Sequence, residues 1–89
     1  GTGAVAIGQL AGENNQGNYA IAIGSSAGLS NQHANSIVIN AGGTQLDTTQ
    51  AGEFIVKPVR EVTGGTLPTG FKTVGYNPTT GEFIYLAGV

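Results

Sequence analysis

Ala4-Val5-Ala6-Ile7-Gly8 recurs sixteen residues later as Ala20-Ile21-Ala22-Ile23-Gly24, and Ser36-Ile37-Val38-Ile39-Asn40 is a looser third copy at the same interval. The register holds between these segments as well, because Ala11-Gly12 returns as Ala27-Gly28 and Asn15-Gln16 as Asn31-Gln32. A fixed period of this length marks a chain built by stacking one small unit, an architecture that makes rods and surfaces.

Each apolar segment is five residues long, ends at Gly or Asn and carries its branched residues at a spacing of two, so it predicts a strand; a helix needs longer runs and a spacing of three to four. Successive side chains alternate across a strand. Val5 and Ile7 therefore face one way with Ile21 and Ile23, while Ala4, Ala6, Gly8, Ala20, Ala22 and Gly24 face the other. The branched face is expected to fill the interior of each chain, since burying a Val or Ile contributes roughly 1.5–3 kcal/mol. The small face is expected to let another backbone approach closely, which assigns those six Ala and Gly residues to subunit packing. Glycines and asparagines between the strands suit turns with positive φ. Parallel stacking of such units gives a short β-roll or β-solenoid.

In the third copy, Val38 replaces the central Ala and Asn40 the Gly. The wider residue reads as an atypical last unit that stops growth of the stack, with residues 41–44 as the junction. Two regions follow: 1–43 as the roll, and 44–89 as a β-rich cap or tip. In the cap, Phe54 to Val62 is strand-like but broken by Pro58, which predicts an edge strand or a bulge. Phe71 to Tyr76 and Glu82 to Leu86 flank Asn77-Pro78-Thr79-Thr80-Gly81 and predict a hairpin. All three Phe and two of the three Tyr lie in this half.

Only 9% of the residues are charged and the net charge is -2, so the chain has no basic field for nucleic acid or anionic lipid. No apolar run approaches the ~20 residues of a membrane-spanning helix. There is no cysteine and one histidine, which removes disulfides and thiolate metal sites and leaves no cofactor or metal assignment. His33 falls in a polar turn and reads as an exposed turn residue. Glu13, Asp47, Glu53, Glu61 and Glu82 show no paired spacing, so no catalytic residues are assigned and an enzyme is not expected. Lys57, Arg60 and Glu61 are candidates for ion pairs between chains. With so little charge, no cross-links and an Ala-rich core, stability is expected to come from burial against identical neighbours. The pattern is already under way at the first residues, which suggests a portion of a longer protein.

The pentapeptides Ala4 to Gly8 and Ala20 to Gly24, each followed two residues later by Ala-Gly, resemble the head repeat of the YadA-like trimeric adhesins over residues 4 to about 41. The resemblance implies three chains, each winding a left-handed parallel β-roll, packed about a threefold axis. The order of Ser36 to Ala41, Phe54 to Val62 and Tyr76 to Glu82 is similar to fibre and spike proteins of large DNA viruses, including chlorella-virus surface attachment proteins, and to phage tail fibres. Together these imply an all-β homotrimer at a virion surface that binds host-cell glycans or cell wall, with the head of a bacterial outer-surface adhesin as the alternative. If the ligand is a sugar, Tyr76, Asn77 and Tyr85 are the first candidates, since aromatic stacking with polar contacts suits carbohydrate.

Overall fold

The computed structural model describes residues 1–88, and among them every regular element is a strand. β1 (Val5–Ile7), β2 (Ile21–Ile23), β3 (Ile37–Asn40) and β4 (Phe54–Lys57) form one parallel sheet in chain order, while β5 (Val74–Tyr76) and β6 (Phe83–Tyr85) form an antiparallel pair. The chain divides into two compact units, Gly1–Val59 and Arg60–Val89.

The sequence repeat sets the register of the parallel sheet. Val5 lies beside Ile21, Ile37 and Phe54 in successive strands; Ala6 beside Ala22, Val38 and Ile55; Ile7 beside Ile23, Ile39 and Val56. The returning segments pair as well. Gly12 N donates to Ala27 O at 2.9 Å and Gly28 N to Leu46 O at 2.7 Å, beside parallel bridges Asn14–Ser30 and Ala27–Leu46. Backbone conformations recur at the same sixteen-residue interval: φ is +65°, +61° and +57° at Gly3, Tyr19 and Asn35, and +58° and +55° at Asn15 and Asn31.

The direction of the two strand faces is the reverse of the sequence expectation. Ala20, Ala22, Ala27 and Val38 are 0% exposed, whereas Val5, Ile7, Ile23, Ile37 and Ile39 lie between 36% and 58%. The interior is the gap between the strands and the returning segments, where Ala22, Ala27 and Val38 meet with Ala11, Leu46 and Ile55 packed around them. A unit of sixteen residues closes on itself over so short a distance that Ala fits this gap. Buried amides take up more of the space: Gln32 is 1% exposed and is the largest fully buried side chain.

Glutamine holds the interior together. Gln16 Nε2 donates to Val5 O at 2.7 Å, to Ala20 O at 3.3 Å and to Gln32 Oε1 at 3.1 Å; Gln32 Nε2 donates to Ile21 O at 2.9 Å. Each amide thus closes its own unit onto a strand carbonyl, and the Gln16–Gln32 bond links the two units. On the outside Asn15 Nδ2 donates to Asn31 Oδ1 at 3.1 Å, a second ladder with the same spacing.

Residues 36–43 do not end the sheet. Val38 is fully buried and Ile55 continues its column, so the widening residues fill the interior. The insertion after β3 is organised by Asn40, whose Nδ2 donates to Ser25 O at 2.9 Å and Thr44 O at 2.8 Å and whose Oδ1 accepts from Gly42 N at 2.9 Å. Beyond it Asp47 and Thr48 stand sixteen residues after Asn31 and Gln32, with Asp47 Oδ1 accepting from Ser30 N at 3.0 Å. The boundary between units therefore falls at Val59 and not at residue 43. β4 is the last strand of its sheet and stops immediately before Pro58, the edge position that a proline at this place implies.

Candidate functional site

Two surfaces concentrate the chain's unusual features. The first is the outer face of the parallel sheet. Val5, Ile21, Ile37 and Phe54 form one column and Ile7, Ile23, Ile39 and Val56 the next, eight apolar side chains in contiguous rows with no charged residue among them. Single exposed apolar residues are ordinary on any protein, whereas a contiguous patch of this kind marks an interaction surface. The alternation that sends Ala inward sends these residues outward.

This geometry redistributes the six small residues assigned to subunit packing. Ala20 and Ala22 are buried inside one chain and Gly24 is half-buried; Ala4 is half-buried, and Ala6 and Gly8 are exposed in the first row. Close approach explains the two glycines, but it occurs within the chain. A Cβ on Gly8 would lie 2.8 Å from the Gly24 carbonyl carbon, and one on Gly24 would overlap Asn40 O; both have positive φ, +121° and +110°.

The second surface is the β5–β6 hairpin. Val74 faces Tyr85 and Tyr76 faces Phe83 across the pair, with the Tyr76 and Phe83 ring centroids 4.9 Å apart. Tyr76 is 57% and Tyr85 66% exposed. Asn77 shapes the connecting loop, where its Oδ1 accepts from Thr79 N at 2.9 Å and Thr80 N at 3.3 Å. The three proposed sugar contacts thus share one hairpin, but the carbonyl end of Asn77 is engaged by the turn. Nearby in sequence, the Arg60 guanidinium sits 5.9 Å from the Phe71 ring centroid, a cation–π contact within the chain.

Three of the polar residues weighed for chemistry, Asp47, Glu53 and His33, have structural partners. Glu53 accepts from Thr49 N at 2.9 Å and Thr49 Oγ1 at 3.1 Å, and Asp47 Oδ2 accepts from Gln45 Nε2 at 2.6 Å. Both border an open recess of about 470 Å³ beside β4, with Leu46 and Ile55 also in its lining. His33 N donates to Thr48 Oγ1 at 2.9 Å, and His33 Nδ1 lies 2.8 Å from the same oxygen. The imidazole thereby ties its turn to the following row. Among the described residues no group of three or more His, Cys, Asp or Glu is placed to hold a metal ion, and no helix is long and apolar enough to cross a membrane.

Sequence reasoning missed the glutamine ladder, although its signal was present: an amide at a fixed offset in each unit is what an internal hydrogen-bond column requires. Comparison of the chain with protein-family models, curated proteins and solved structures finds no match.

Proposed function

We propose that this chain is part of a trimeric attachment fibre or spike, in which a short β-solenoid of sixteen-residue units forms a shaft and three copies meet through their outer Val and Ile columns. The observation that carries this reading is the pair of columns from Val5 to Phe54 and from Ile7 to Val56, eight apolar side chains of which all but the half-buried Ile21 are exposed in a single chain. A polar, nearly uncharged remainder suits binding to a neutral ligand such as a cell-surface glycan or cell-wall polysaccharide. Three weak sites on one rigid body gain affinity through effective concentration, so no deep pocket is required. The sugar contact is assigned to the loop side of the hairpin, around Asn77–Gly81. The place of action is a virion surface, where such a spike meets its host.

The solution mass tests the assembly, and a glycan array tests the ligand. The expected result is a particle of three 8.9 kDa chains that retains glycans. Ile23→Asp combined with Ile39→Asp is expected to give a folded monomer with array signal lost through loss of avidity. A monomeric parent protein would overturn the trimer, and a trimer that binds no glycan or cell-wall polymer would overturn the attachment role.

A further inference from the structure

The two ends of the parallel sheet are finished differently. At the far end β4 carries Lys57 and runs into Pro58, two residue types that blunt an edge strand. At the near end Val5-Ala6-Ile7-Gly8 has no charge and no proline. Val5 N donates to Ala20 O at 2.9 Å and Ile7 O accepts from Gly24 N at 2.7 Å, so Val5 and Ile7 bond toward β2 and the N–H and C=O of Ala6 point to the open side. The rest of the row follows suit. In the second unit Gly24 N, Ser26 N and Asn31 N donate to Ile7 O, Gln9 O and Asn14 O, while Ala20 O, Ala27 O and Leu29 O accept from Val5 N, Gly12 N and Asn14 N. Their counterparts sixteen residues earlier, the donors Gly8, Leu10 and Asn15 and the acceptors Ala4, Ala11 and Glu13, set out the same array along the open side of the first row. The amide ladder has a direction as well. Gln16 Nε2 donates to Gln32 Oε1 at 3.1 Å, which leaves Gln16 Oε1 as the acceptor at the head of the column. At the other end Thr48 stands sixteen residues after Gln32 and its Oγ1 takes His33 N at 2.9 Å, so the column of amides stops there.

We propose that the first row is a strand-addition surface whose partner is one more unit of the same sixteen-residue kind, laid parallel ahead of β1 and bringing a glutamine that donates to Gln16 Oε1. The proposal rests on the solenoid reading above and not on the trimer. Residues 1–3 supply the register. Thr2 N donates to Asn18 Oδ1 at 2.9 Å, Thr2 O accepts from Tyr19 N at 2.7 Å, and a Cβ on Gly1 would lie 2.6 Å from the Gly17 carbonyl carbon. These residues already hold, one row ahead, the places of Gly17, Asn18 and Tyr19. A unit in that row would cover Ala6 as β1 covers Ala22, which is 0% exposed. Other occupants match the array only in part. An extended peptide pairs with Ala4 to Gly8 and leaves Leu10 to Gln16 in water. The last row of a second copy brings Lys57 and Thr48 in the places of Gly8 and Gln16.

The test inserts a copy of residues 4–19 between Gly3 and Ala4. In the 89-residue protein the amides of Ala6, Gly8, Leu10 and Asn15 are expected to exchange within about tenfold of the unfolded rate, because they bond to water. In the extended protein the same four amides stand in the second row and are expected to slow at least about a hundredfold. The denaturant slope is expected to rise with the midpoint, since the added row buries surface. An extended protein in which these amides exchange as before would overturn the proposal, and equal protection from a copy carrying Gln16→Leu would overturn the glutamine requirement. Slow exchange at these amides in the 89-residue protein would mean that another copy already covers the edge, and would overturn the choice of partner. If Gly24, Ser26 and Asn31 also exchange at the unfolded rate, the solenoid reading itself fails. The solution mass decides the trimer separately.

Discussion

Gln32 illustrates how much a single side chain decides in a chain with so small an interior. Its amide reaches Ile21 O at 2.9 Å and receives Gln16 Nε2 at 3.1 Å, so the buried amide is satisfied from both ends. Replacing it with an apolar residue of similar length removes its hydrogen bonds to Ile21 O and Gln16 Nε2 together, and leaving polar groups in a narrow interior without such partners costs about 1–3 kcal/mol. Gln32→Leu is therefore expected to lower stability by about 2–3 kcal/mol in chemical denaturation, and Gln16→Leu by less, because Gln16 is half-exposed. Leu10 makes the opposite case. It sits at φ +63°, as Ser26 does sixteen residues on at +58°, in a region that costs an L-residue roughly 1–2 kcal/mol and that Asn tolerates best after Gly. Leu10→Asn is expected to stabilise the protein by about 0.5–1 kcal/mol, read as a higher denaturant midpoint with an unchanged slope.

At the level of the strands, the inward column Ala6, Ala22, Val38, Ile55 is a gradient of size, buried in its middle and more open at its two ends. Ala22 is 0% exposed between its neighbours, whereas Ala6 is exposed on the first row. Ala22→Leu should overpack the gap and cost about 1–3 kcal/mol, while Ala6→Leu should be nearly neutral, a contrast that thermal melts of the two variants would check. If both were tolerated equally, the narrow interior would not be what selects Ala. The strands themselves were legible in the sequence, because period-two alternation bounded by Gly leaves few alternatives, and the hairpin was legible from Asn77-Pro78-Thr79-Thr80-Gly81. Which face points inward was not, since alternation separates two faces without saying how wide the space behind each one is. That width is set by turn geometry and by Gln16 and Gln32, which lie well away from the strands in sequence. β4 escaped as a member of the parallel sheet because the sixteen-residue interval, which still relates Gln32 to Thr48, is lost between Thr48 and the strand: Ile37 pairs with Phe54, one residue beyond it.

For the whole molecule, the proposed trimer would make assembly a condition of stability and not an addition to it. The first unit has a buried core and can support its sheet, but it exposes two columns of Val, Ile and Phe; the second has no buried residue among those described. If three copies cover these surfaces, unfolding and dissociation are one event and the melting temperature depends on concentration. For a trimer that unfolds to three chains, each tenfold rise in concentration adds two decades to the equilibrium constant per three chains, about 0.9 kcal/mol per chain. In a domain of this size that amounts to a rise of about 4–7 °C in the melting temperature per decade. Ile39→Asp places a charge in the middle of the apolar columns and is expected to abolish the dependence, leaving a melt that reflects only the Ala and Gln interior of the first unit. Ser25→Asp, exposed and outside those columns, should retain the full slope. Calorimetry over two decades of concentration separates the cases, because a parent protein with a flat melting temperature would show that the Val and Ile face is not where its copies meet.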